Sequence, residues 1–177
     1  MRALIILLAS LFGLLTVAGI AGCQSAAAPP CPFEGEEEIA PSAGCFLLED
    51  DGLLMVQGLN GKISLPGGSS QPGESAQCTA YRETWEETGL RLIPGERLAV
   101  FDTGFHLYSC ERDEQSGDID PPPRLEVRAA FYLTPDRWAE YEWRFPDQAQ
   151  LLEKIEKLKE EKSPAGYDAT TEATMTP

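Results

Sequence analysis

Basic residues are scarce: 14 Lys and Arg face 29 Asp and Glu in 177 residues, and the formal net charge is −15. A surface of that sign repels nucleic acid and anionic headgroups, so polymer binding through phosphates is not expected. A small polyanion can still bind where a cation mediates. Histidine occurs once, at His106 in an apolar strand-like run, which suits a hydrogen-bonded structural role better than proton transfer. CxxC pairs are missing, so the chain gives no sign of a zinc knuckle. Internal repeats are missing too. The length allows one domain with a proper core and is short for two.

A long charge-free apolar run occurs only at the start, "MRALIILLASLFGLLTVAGIAGC". One basic residue, an apolar stretch and then small residues form the pattern of an export signal, with an uncleaved membrane helix as the alternative. The ending Ile20, Ala21, Gly22, Cys23 resembles the lipobox of bacterial lipoproteins. That resemblance implies a signal peptide over residues 1–22, cleavage before Cys23 and acylation of its thiol. Gln24, rather than Asp, follows the cysteine, which for such lipoproteins implies the outer membrane. The expected location is therefore the cell envelope, at the periplasmic face, held to the bilayer by two or three acyl chains.

Four cysteines follow: Cys31, Cys45, Cys78 and Cys110. In an exported chain they allow three complete pairings, and the sequence does not choose among them. One disulfide is expected, with Cys45 and Cys78 read by default as small buried residues.

Residues 23–41, rich in Ala, Pro and Glu, read as a lipidated cysteine and flexible tether, and residues 163–177 as a disordered tail. Between them lies one domain, 42–162. "AGCFLLE" and "GLLMVQ", joined by Asp50, Asp51 and Gly52, read as a hairpin, and "KISLPGG" as a third strand. Glu74 to Thr88 reads as a helix stopped by Gly89. "RLAVFDTGFHLYSCE" and "LEVRAAFYL" are further strands, and "DQAQLLEKIEKLKEEK" is a second helix with Leu151, Leu152, Ile155 and Leu158 at helical spacing. The class is α/β.

On the first helix Glu83, Glu86 and Glu87 stand at i, i+3 and i+4, so their carboxylates share one face. Uncompensated, that spacing opposes folding by a few tenths of about 1 kcal/mol per pair. A bound hard divalent cation, Mg²⁺ or Mn²⁺, would offset it and keep positions open for phosphate and water. Ala76 and Ala80 on nearly the same face leave room for a substrate. Tyr81 and Trp85 lie opposite as packing residues. Arg82 flanks the ligand face, and its expected partner is Glu74.

The full spacing resembles the Nudix box, the signature of the Nudix hydrolases: Gly68, five residues, Glu74, seven residues, Arg82 and Glu83, Thr84, one residue, Glu86 and Glu87, one residue, Gly89 and Leu90. Thr84 stands where a larger aliphatic is more usual. The resemblance spans roughly Ser42 to Lys162 and implies an α/β/α sandwich around a mixed β-sheet. It implies Glu83, Glu86 and Glu87 as metal ligands, one of which could instead be a base, with Arg82 beside them. Gly67, Gly68, Glu74 and Gly89 would shape the substrate loop.

It also implies metal-dependent hydrolysis of a nucleoside diphosphate linked to another moiety, and a homodimer as a common state. A base outside the box could be Glu126, Glu140 or Glu142, though each reads first as a surface residue. Tyr108 stands about where a tyrosine marks the dinucleoside polyphosphate hydrolases, with core packing as its default. Outside the cytoplasm the substrate would be a nucleotide sugar, a dinucleotide or a polyprenyl diphosphate. A non-catalytic ligand-binding or sensor domain is the alternative, as is a structural lipoprotein.

Overall fold

The computed structural model describes residues 27–35, 37–123 and 126–162, with side chains to Lys154. The expected signal peptide, Cys23 and the tail beyond 162 lie outside these residues. Among those described, no helix is long and apolar enough to cross a membrane.

Among the described residues eight strands and two α-helices follow one another: β1 (Ser42–Phe46), β2 (Leu48–Glu49), β3 (Gly52–Gly58), β4 (Ile63–Ser64), β5 (Gly67–Ser69), α1 (Ala76–Thr88), β6 (Leu92–Val100), β7 (Phe105–Arg112), β8 (Val127–Leu133) and α2 (Pro146–Lys162), with a 3-10 helix at Pro135–Glu140 before α2. One sheet has the order β5-β1-β7-β6 and is mixed, because β1 runs parallel to β7 with Cys45 opposite Tyr108. The other joins β2, β3 and β4, with β8 pairing β3 along its length.

Alternation along the strands divides the core in two. Cys45, Leu54 and Tyr108 pack with Ala76 and Ala80 of α1, whereas Phe46, Leu53, Met55 and Leu107 pack with Leu152 of α2. The result is a three-layer α/β/α arrangement.

The expected boundaries shift for local reasons. The run over 43–49 divides at Leu47 between the two sheets. Helix α1 begins at Ala76 rather than Glu74, because the Ser75 hydroxyl caps it by accepting from the Cys78 N–H at 3.3 Å. "RLAVFDTGFHLYSCE" is not one strand but the hairpin of β6 and β7. Its turn closes with Phe101 N–H donating to the Phe105 carbonyl at 3.0 Å. At the far end of α1, Gly89 adopts φ 79° and donates to Trp85 O. The Asp120 N–H donates to Thr88 O at 3.0 Å, seating the acidic loop on that terminus.

Two disulfides occur where one was expected, Cys31–Cys78 and Cys45–Cys110. The second lies in the core beneath α1, and the first joins α1 to the segment ahead of the domain. That segment is fastened again at Glu38, whose carbonyl accepts from Ala76 N–H at 2.7 Å. The Glu38 carboxylate takes Arg97 at 2.6 Å and the Tyr108 hydroxyl at 2.6 Å, with His106 Nδ1 3.5 Å away. Both aromatic residues therefore have the structural roles their sequence positions suggest. With loops of 47 and 65 residues, the chain-entropy account gives about 4 kcal/mol for each crosslink.

Candidate active site

The site is assembled where α1 faces the turn between β4 and β5. Ala76 and Ala80 are fully buried, so they do not leave room for a substrate as expected. Their small side chains bring α1 close to the sheet, and that approach drives Glu83 and Glu87 against the Gly67–Gly68 backbone. A Cβ at Gly68 would stand 2.5 Å from the Glu83 carboxyl. A side chain there would displace the Glu83 carboxyl. The Gly67 N–H donates to Glu87 Oε2 at 2.8 Å.

Arg82 organises the start of the cluster. Its Nε and Nη2 grip both oxygens of Glu74, at 2.7 and 2.8 Å, and Nη1 donates to Glu83 Oε1 at 2.7 Å. Nη2 also donates to the Ser69 carbonyl at 2.9 Å, and Glu86 Oε2 lies 3.6 Å from Nη1. The expected Arg82–Glu74 pair is present as a bidentate fork.

Three carboxylates converge. One oxygen each from Glu83, Glu86 and Glu126 lies within 4.8 Å of the other two. Of the three glutamates proposed outside the box, only Glu126 joins the site. Glu140 pairs with Arg137 at 2.9 Å and Glu142 with Lys62, both near the surface. Glu126 precedes β8, whose pairing with β3 carries it across to α1. Nothing local in the sequence separates it from other acids.

Electrostatics mark the cluster as short of positive charge. Burial pushes the Glu83 carboxyl above its usual 4.5; Arg82 opposes this, while Glu86 and Glu126 add to the rise. Burial raises Glu87 further, to about 8, against the hydrogen bond from Gly67 and with help from Glu83 and Glu126. Glu86 is 8% exposed and Glu87 9%. A set of crowded oxygen donors with few protein cations suits a hard divalent ion.

Thr84 is fully buried, and its hydroxyl has no hydrogen-bond partner among the described residues. It occupies an apolar position, as the box implies. Tyr81 is also fully buried, in a cleft lined by Ala28, Pro29, Cys31 and Arg82. It is buried, as expected, and borders the disulfide-bound segment. Trp85 is half-buried.

The NUDIX domain profile matches residues 38–161. The chain belongs to the NUDIX domain family. A MutT-like protein from Streptomyces ambofaciens is 34% identical over 101 residues, covering 55% of this chain and 65% of that protein. The Nudix chain thus spans just under two thirds of that relative's length. Among solved structures, an ADP-ribose pyrophosphatase from Streptococcus suis superposes with a TM-score of 0.55 at 20% identity, over 66% of this chain and 90% of the other. A UDP-X diphosphatase gives 0.57 at 20% identity, over 72% and 68%. These likenesses establish the Nudix fold.

Proposed function

We propose that this Nudix domain is a metal-dependent pyrophosphohydrolase that cleaves the diphosphate linkage of a nucleoside diphosphate-X or a related pyrophosphate. The observation carrying the reading is the convergence of Glu83, Glu86 and Glu126 beside Gly67 and Gly68 of β5. These three carboxylates would hold Mg²⁺ or Mn²⁺, which would supply charge neutralisation for the pyrophosphate oxygens and a lowered pKa for a coordinated water.

The chain's own residues do the rest. Arg82, clamped by Glu74, fixes Glu83 and stays beside Glu86, so the ligand face is oriented before substrate arrives. The glycine pair at the start of β5 would let backbone approach the phosphates closely. Glu87, pinned by the Gly67 N–H beside the cluster, would in its ionised form be the base toward the attacking water.

The same reading extends to location: export, cleavage before Cys23, acylation of that cysteine and residence at the periplasmic face of the outer membrane. Two disulfides support it, since such bonds persist in oxidising compartments. Substrates there would be nucleotide sugars, dinucleotides or polyprenyl diphosphates. The decisive test incubates the protein with Mg²⁺ or Mn²⁺ and each class, with products identified by mass, beside Glu86→Gln and Glu126→Gln. Cleavage at one diphosphate that both variants lose is expected. Metal binding with no turnover on any substrate would point instead to a ligand sensor.

A further inference from the structure

The two disulfides differ in their surroundings. Cys45 and Cys110 are 0% and 4% exposed and sit in the core with Leu54 and Ala80. Cys31 and Cys78 are only half-buried and open on a cleft of about 400 Å³. Exchange requires an attacking thiolate to reach a sulfur, so access separates the bridges. The outer bridge is the reachable one.

Its hold on the chain is equally distinctive. Among the described residues no hydrogen bond or ion pair joins residues 27–35 to the rest of the domain, so Cys31–Cys78 is what fastens them. Glu38 behind them is secured independently: its N–H donates to Gln77 Oε1 at 3.3 Å, and its carboxylate takes Arg97 and Tyr108. Cutting the outer bridge therefore frees this strap while its root stays in place.

The strap lies against the back of the candidate site. Ala28 and Pro29 line the cleft together with Glu74, Tyr81, Arg82 and Glu86. Cys78 stands four residues before Arg82, so one turn of α1 separates the bridge from the guanidinium. Beside the strap the Arg82 and Glu74 side chains are 14% and 15% exposed. Charged hydrogen bonds strengthen where water is excluded, and the strap excludes it on this side. Without the strap the fork is wetter, and its grip on Glu83 Oε1 is looser.

From these features we infer that Cys31–Cys78 is a reducible latch: a dithiol opens it while Cys45–Cys110 stays closed, residues 27–35 leave α1, and Arg82 loses part of its hold on the acidic cluster. One thiolate of the dithiol attacks a bridge sulfur and breaks the S–S bond, and its second thiol resolves the mixed disulfide. Two electrons and two protons pass to Cys31 and Cys78, and the dithiol leaves as a disulfide. Arg82 is the positioning residue through which the latch acts. The inference rests on the pyrophosphohydrolase reading for the cation alone.

The test uses the full chain in detergent. Free thiols are capped with N-ethylmaleimide, a dithiol is added without denaturant, new thiols are capped with iodoacetamide, and the reductant is removed. Mass spectrometry should find the second label on Cys31 and Cys78 and neither label on Cys45 and Cys110. Titration followed by the free Mn²⁺ resonance should show a dissociation constant raised about tenfold, as for loss of a group that orients metal ligands. Metal-free hydrogen exchange over residues 76–88 should quicken. Reoxidation before the second cap should restore both readouts, and Cys31→Ser/Cys78→Ser should match the reduced protein and ignore the dithiol. Labelling of all four cysteines, labelling of none, or selective labelling with either readout unchanged overturns the inference. A parent that binds no Mn²⁺ overturns the pyrophosphohydrolase reading alone, and hydrogen exchange then decides the latch.

Discussion

Glu74, just ahead of α1, accepts two hydrogen bonds from Arg82, one from the Gln71 amide at 2.9 Å and one from the Thr79 hydroxyl at 3.0 Å. Burial opposes its ionisation, but these partners outweigh burial and hold its carboxyl below 4.5. At the other end of the helix Glu83 and Glu87 move the opposite way. The same side chain is thus held ionised by its partners at one end, while burial and neighbouring carboxylates outweigh them at the other. Glu49 repeats the first case on the far side of the fold, where Arg112 grips both oxygens and lowers its carboxyl. Acidic residues alone therefore do not mark a metal site. Carboxylates whose ionisation burial and neighbouring acids oppose, as at Glu83 and Glu87, do.

Breaking the open end should have the largest effect. Glu86→Gln and Glu126→Gln are each expected to reduce pyrophosphate turnover by at least about 100-fold, while Glu140→Gln stays within about twofold. Equal activity of Glu126→Gln and the parent in steady-state assays would remove Glu126 from the site.

Stability separates the two ends by sign. Without metal, Glu74→Gln should lower unfolding free energy by about 2 kcal/mol through lost charged hydrogen bonds, whereas Glu87→Gln should raise it. Added Mg²⁺ should raise the melting temperature of the parent. Denaturant melts with and without chelator give both numbers. Stabilisation of the metal-free parent relative to Glu87→Gln would contradict the comparison.

pH sharpens it further. Glu87 has a folded pKa of about 8 against a usual 4.5, so between those values the folded state holds the extra proton and the unfolded state does not. Metal-free stability should therefore fall as pH rises from about 4.5 to 8 and flatten above. Glu74, whose carboxyl is lowered, contributes stability that is present above 4.5 and lost as pH falls below it. Glu87→Gln should flatten the upper limb alone.

The smallest expected effect is at Thr84. Its buried hydroxyl lacks a partner, and Thr84→Val should stabilise the domain by about 1 kcal/mol, read from urea melts.

Much of this was legible in the chain because the information is local. The box residues sit within one helix and its flanking turns, so spacing alone brings Glu83, Glu86, Arg82 and Glu74 together. Glu126 was legible only as one acid among three, since it reaches the site by strand pairing across 40 residues. Ala76 and Ala80 share a face with the glutamates, as periodicity says, but periodicity does not say how near the sheet comes. Cys31 and Glu38 were hidden in a composition typical of tethers, where single anchoring residues leave no periodic trace.

Gly89 ends α1 in the left-handed conformation, and an asparagine can often stand in for glycine in that role. Here it cannot. A Cβ on residue 89 would fall 2.1 Å from the carbonyl oxygen of Asp120, so any side chain must evict the loop seated on Thr88. The hydrogen at this position is thus shared property of helix and loop. Since that loop runs on toward Glu126, a single added carbon at the end of the helix would be felt on the opposite side of the acidic cluster.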